Sequence, residues 1–264
     1  MDEQPSADGH SYFPGDNRLE GILEWPEARG GSGGSPGPAS TAPTGGVVIA
    51  HPHPLYGGSM VQPVVYRVAQ ACRQHGMATL RFNFRGVGRS EGSYSGTAEY
   101  RDVEAAALYL RGRLAGAAGG PGSGGRRGLE AGGEGAPVAL AGYSFGSVMV
   151  AMAAAETQGV VGLALVAFVM DWEEMPPEAI ERLSGFAGSV LAVCGERDEL
   201  APPGEVERLL SRLGLNYGLS VVQGADHFFA GKQRGVGERV AGFLEGVFAR
   251  QGIPAVGRTS DLPG

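Results

Sequence analysis

Val138-Ala-Leu-Ala-Gly-Tyr-Ser-Phe-Gly146 is the stretch from which the rest of the chain can be read. Its first residues form a continuous apolar run, the mark of a buried strand. Beyond it Phe145, Val148, Met149, Met152 and Ala153 recur at i, i+3, i+4, i+7 and i+8, which predicts a helix with one buried stripe. Strand and helix meet at Gly142-Tyr-Ser-Phe-Gly146, with no room for more than a sharp turn. Such a turn lifts the Ser144 hydroxyl out of the sheet, and it is sterically open only where glycines flank it.

Gly-x-Ser-x-Gly alone says little in a chain with 47 glycines, where roughly half a match is expected by chance. The pattern occurs around Ser32, Ser35, Ser90 and Ser144. Ser32 and Ser35 lie in low-complexity sequence that has no means of holding a nucleophile rigidly. Ser90 follows a strand but precedes no immediate helix. Ser144 alone has strand, turn and helix together.

Outward from this stretch, short apolar runs alternate with amphipathic segments. Strands are predicted at Val47–Ala50, Met77–Phe84, Pro137–Ala141, Val160–Val169, Val190–Cys194 and Leu219–Val222. Helices are predicted within Val61–His75, from a Thr97 cap through Leu114, after Ser144, at Glu178–Leu183, Glu205–Leu213 and Gly237–Arg250. Leu19–Trp25 reads as an antiparallel edge strand. This alternation predicts an α/β fold, a mostly parallel central sheet with helices on both faces. Residues 18–250 form its one domain. Residues 29–46 and 116–136 are Gly-rich with no apolar period and read as flexible insertions dispensable for folding. Residues 1–17 and 251–264 are expected to be flexible. Only Met170–Ser189 separates the strand after the Ser144 helix from the next one. That is enough for a crossover helix and too little for a cap domain.

Ligands on such sheets bind at the carboxyl ends of the strands, so reactive side chains are sought just after strands. A serine hydroxyl needs a neutral imidazole to take its proton and a carboxylate to orient that imidazole. His227 is the only histidine after Ser144 and follows the last short strand in Gly224-Ala-Asp-His-Phe-Phe229. Asp171 and Asp198 both follow strands. Asp198, in the turn Gly195-Glu-Arg-Asp198, is preferred on chain order, serine then acid then histidine. Tyr56, Tyr143 and Trp172 are expected to line the substrate cleft, and the Phe228-Phe229 rings to anchor the histidine loop.

The formal charge of −7 argues against a nucleic-acid partner held through phosphates. No stretch reaches the ~18 uninterrupted apolar residues of a membrane span. The N-terminus lacks a signal-peptide pattern, and Cys72 and Cys194 give neither a disulfide framework nor a zinc spacing. A cytoplasmic protein without a metal or cofactor is expected, in an oligomeric state that the sequence leaves open.

Ala50-His-Pro-His-Pro-Leu-Tyr-Gly-Gly-Ser59, Leu80-Arg-Phe-Asn-Phe-Arg-Gly-Val-Gly-Arg-Ser90, Gly142–Gly146, Gly195-Glu-Arg-Asp198 and Ala225-Asp-His-Phe228 together resemble the α/β-hydrolase superfamily. Within it they resemble a small, capless bacterial family of predicted hydrolases. The likeness runs from about Leu19 to Arg250 and extends to the serine aminopeptidase and dienelactone hydrolase branches. It implies the fold, the Ser144-His227-Asp198 set and an oxyanion hole, but no substrate. Phe145 supplies one backbone N–H to that hole. The His-Pro-His-Pro loop should supply the other, and because Pro52 and Pro54 carry no N–H, His53 is the first candidate and Leu55 the next. His51 and His53 as a metal pair are set aside, since no carboxylate or cysteine nearby completes a site.

The reading is a serine hydrolase acting through an acyl-enzyme on a small acyl substrate, a carboxylic ester before a peptide or thioester. Two other classes compete with it. One is a dinucleotide-binding protein, for which Gly86-Val-Gly-Arg-Ser-Glu-Gly92 has its last glycine one residue late. The other is a catalytically silent scaffold on the same fold.

Overall fold

A computed structural model of the protein describes residues 10–26, 43–118, 136–170, 176 and 178–251. Eight strands form one sheet. β1 (Ser11–Pro14) and β2 (Arg18–Glu24) are a hairpin, and β2 pairs antiparallel with β4 (Ala78–Phe82). β3 (Gly46–Ala50), β5 (Val138–Tyr143), β6 (Val160–Val166), β7 (Ser189–Gly195) and β8 (Asn216–Val222) complete the sheet in parallel, in the order β1-β2-β4-β3-β5-β6-β7-β8. β3, β4 and β5 are buried at every position, as strands covered on both faces must be.

α1 (Pro63–Gln74) packs with α6 (Gln233–Arg250) on one face of the sheet. On the other, α3 (Phe145–Ala154) packs between α2 (Tyr100–Ala118) and α4 (Ala179–Ser184). α5 (Pro203–Arg212) lies against β7 and β8. No separate cap domain occurs among the described residues.

The sheet departs from expectation at its ends. Residues 1–17 are not uniformly flexible, because Ser11–Pro14 is a strand whose Phe13 is buried against Phe82 and Tyr109. β2 is therefore an inner strand, with β1 at the edge. The first predicted insertion ends earlier than expected, since Gly46 opens β3 and a side chain there would collide with Leu110 and Leu114. The second begins later, since α2 runs on to Ala118. Residues 27–42 and 119–135 lie outside the described residues. α3 is buried at all positions rather than along one stripe, because α2 and α4 cover the flanks that the sheet leaves open. Ser95, not Thr97, leads into α2: its hydroxyl accepts the N–H groups of Thr97 and Ala98.

The chain runs from β3 through α1 to β4 on one side, then returns to place β5 on the other side of β3. That reversal opens a crevice at the carboxyl ends of β3 and β5, where ligands bind on open α/β sheets. The His-Pro-His-Pro segment leaves β3 there, and Ser144 leaves β5.

Candidate active site

Ser144 sits between β5 and α3 with φ 54 and ψ −120, a conformation costly for any residue with a side chain, by about 1–3 kcal/mol. Its neighbours enforce that backbone. The Ser144 N–H donates to Val166 O at 2.9 Å, and its carbonyl accepts from the Ser147 N–H at 2.8 Å. A side chain at Gly142 would overlap the Gly146 carbonyl, and one at Gly146 would stand 2.5 Å from the carbonyls of Ala50 and His51. The two glycines thus let the elbow close on itself and on the end of β3.

His227 follows β8 and reaches back across the crevice. Its Nε2 lies 2.9 Å from Ser144 Oγ, and its Nδ1 lies 3.0 Å from each oxygen of Asp198. A carboxylate can only accept, so Nδ1 carries the proton and Nε2 accepts from the serine hydroxyl. The Asp198 side chain has no solvent exposure. One of its oxygens also accepts the N–H groups of Leu200 (3.0 Å) and Ala201 (2.9 Å), which fixes the carboxylate in its turn. A side chain at Gly195 would meet the Ala225 and Asp226 carbonyls at 2.6 Å, so this glycine lets the two loops touch.

Tyr143 does not line the cleft as expected. It is buried, and its hydroxyl donates to the His227 carbonyl at 3.1 Å, bracing the histidine loop from behind. Burial pushes its phenol well above the ordinary tyrosine range, with Asp198 and Asp226 adding to the effect. Of the two phenylalanines, only Phe229 anchors the loop, packed against Tyr143, whereas Phe228 is 67% exposed beside the His227 ring. Tyr56 is 87% exposed with its ring against His53. Trp172 and Asp171 lie outside the described residues.

The two histidines of the His-Pro-His-Pro segment do different things. His51 is fully buried. Its Nε2 accepts the Phe84 N–H at 3.1 Å, so its Nδ1 carries the proton and donates to Pro52 O at 2.6 Å. Burial drives its pKa down to about 4; the Pro52 carbonyl opposes this, and nearby His53 adds to it. His51 thus ties the end of β3 to the end of β4 and holds the Pro52–His53 peptide by its oxygen. His53 turns outward. Its Nδ1 accepts the Leu55 N–H at 3.2 Å, its Nε2 meets Tyr94 Oη at 2.9 Å, and its ring centroid lies 5.1 Å from that of Phe145. Leu55, the alternative oxyanion donor, has its N–H engaged by His53.

Sequence reasoning missed Tyr94 and the bracing role of Tyr143. Tyr94 stands in a Ser- and Gly-rich loop with no apolar period, and only the folded path of that loop brings it to His53. The role of Tyr143 had a signal, since a residue between the last strand position and the turn is enclosed on an inner strand.

No family model matches the chain. An uncharacterized protein of Rickettsia prowazekii is 26% identical over 218 residues, 75% of this chain and 77% of that one. Among solved structures, an α/β serine hydrolase homologue from Coxiella burnetii is 27% identical with a TM-score of 0.71, over 92% of this chain and 100% of that one. The fold is that of the α/β hydrolases. An α/β serine hydrolase without a lid from Xanthomonas campestris matches it with a TM-score of 0.67 at 24% identity, over 97% of this chain and 100% of that one. These likenesses support a hydrolase enzyme. Among the described residues no helix is long and apolar enough to cross a membrane.

Proposed function

We propose that the chain is a cytoplasmic serine hydrolase that cleaves a small carboxylic ester through an acyl-enzyme. The observation that carries this is the unbroken row from Asp198 through His227 to Ser144, with the serine on a backbone that only a functional demand explains. Ser144 Oγ attacks the ester carbonyl as His227 Nε2 takes its proton, and buried Asp198 stabilises the imidazolium that results. The negative oxygen of the tetrahedral intermediate is held by the N–H groups of Phe145, at the start of α3, and of His53. The His53 N–H leaves its planar trans peptide on the side opposite the carbonyl that His51 grips. His227 then protonates the leaving alcohol, and water deacylates the serine by the reverse sequence. With no cap domain among the described residues, the site favours short acyl chains, because a long one would leave apolar surface in water. Tyr56 is the proposed wall on the exposed side. Cys72 and Cys194 are buried free thiols, in keeping with a reducing compartment.

Labelling with a fluorophosphonate, followed by mass spectrometry of the peptides, tests the reading. An adduct on Ser144 and p-nitrophenyl ester rates that peak at short chains support it. An unlabelled protein, or an adduct on Ser90, overturns it.

A further inference from the structure

We propose that Tyr94 is a positioning residue for this reaction: through its hydrogen bond to the His53 imidazole it holds the oxyanion loop in place. The inference rests on the functional reading above. A neutral imidazole offers one donor and one acceptor. The Leu55 N–H can only donate, so His53 Nδ1 accepts, and Nε2 must carry the proton and donate it to Tyr94 Oη. The ring is therefore committed at both nitrogens. One bond caps the short turn Pro54–Tyr56, and the other reaches across to a different loop. The rings of His53, Tyr94 and Phe145 close into one cluster with centroids 5.1 to 5.9 Å apart, so the tether joins the two residues proposed as oxyanion donors.

A tether is useful only if its far end is fixed, and Tyr94 stands on a loop pinned at both ends. At the β4 end, Arg85 makes a forked ion pair with buried Asp102 of α2, at 2.6 to 3.1 Å. At the α2 end, the Ser95 N–H (2.7 Å) and hydroxyl (2.9 Å) donate to buried Glu99. Between them the Gly86 N–H donates to Glu91 O at 3.2 Å. Tyr94 thus carries the rigidity of the β4–α2 connection to a loop that His51 already holds from its buried side. An oxyanion donor acts through its position, so releasing one restraint slows the chemical step and leaves ground-state binding nearly unchanged.

The test compares wild type, Tyr94→Phe, His53→Asn and the double variant. Asparagine can accept the N–H two residues on, as histidine does here, but is too short to reach Tyr94. Both single variants should lose about tenfold in kcat at nearly constant KM, a fraction of the 10²–10³ that loss of a whole donor costs. The double variant should lose no more than either one. Affinity for a trifluoromethyl ketone, which forms an oxyanion on the serine, should fall by the same factor. Nitrogen NMR should show His53 protonated at Nε2, a readout independent of turnover. Wild-type kcat in Tyr94→Phe, losses that multiply in the double variant, or a proton on Nδ1 overturns the tether and leaves the hydrolase reading intact. A wild-type protein that neither labels nor turns over brings down both.

Discussion

Gly88-Arg-Ser-Glu-Gly92 and Gly142-Tyr-Ser-Phe-Gly146 share one spacing, and each lies past the carboxyl end of an inner strand, yet their serines have opposite fates. Ser90 is buried. Its hydroxyl donates to Asn83 O at 2.7 Å and accepts the Glu20 N–H at 3.0 Å, stitching β2 to the loop beyond β4. The same stitch includes Glu20, whose carboxylate takes the Asn83 amide at 2.7 Å and the Arg89 N–H at 2.8 Å. Ser144 instead projects its hydroxyl toward an imidazole. The element beyond the second glycine decides between the two fates. A helix that begins at once forces the serine into a left-handed backbone and turns its side chain outward. A loop lets the chain relax and fold its serine inward.

The largest expected contrast is in turnover. Ser144→Ala should lower kcat by about 10⁶, the loss expected when a nucleophile of this type is removed. Ser90→Ala should keep esterase activity and labelling. The comparison collapses if the two behave alike. Asp198→Asn should lower kcat by about 10⁴ with little change in KM, since the imidazole would adopt the wrong tautomer. A variant as active as wild type would detach the carboxylate from the row.

Acid should separate the two regions next. His51, at the base of the elbow side, is held neutral in the fold with a pKa of about 4 against an ordinary 6.5. Between those values the unfolded chain binds a proton that the folded chain refuses. Stability therefore falls as pH drops from 6.5 to 4, by about 3 kcal/mol in all. Urea midpoints at pH 7 and pH 4.5 measure the loss, and His51→Gln should flatten it. An equally steep loss in that variant would clear His51. On the Ser90 side, burial tends to raise the Glu20 pKa, but hydrogen bonds from Arg89, Asn83 and His10 outweigh it and hold the carboxyl below its ordinary range. Its contribution is present above the ordinary 4.5 and is lost only as the pH falls below it. The smallest effect is that of Ser90→Ala on stability. It leaves the buried Glu20 N–H without its acceptor, at a cost of about 2 kcal/mol read from the urea midpoint at pH 7.

The parallel strands were legible because they are buried on both faces, which leaves unbroken apolar runs such as Val47–Ala50 and Leu163–Val166. β1 was not. It is four residues long, and Phe13 is its one large apolar side chain buried in the core. β8 begins at Asn216 rather than Leu219 because, as an edge strand, it needs little apolar pattern. Ser144, His227 and Asp198 could be chosen by position after strands, and the fold brings all three within hydrogen-bonding distance. Tyr94 and Tyr143 could not be assigned, because their partners lie 41 and 84 residues away and nothing local marks the bond.

β3 and β5 are neighbours, and both point toward the reacting atoms. Gly46 pairs with Val138, and the Gly46 N–H donates to Pro137 O at 3.2 Å, so the two strands also begin side by side. The Gly-rich stretches 27–42 and 119–135 both feed into this shared beginning, a strand's length of about 20 Å from Ser144. Length and composition at those two junctions can drift over generations without reaching the chemistry. Selection for turnover has its grip at the opposite rim of the sheet, where one misplaced methyl group at Gly146 would collide with the end of β3.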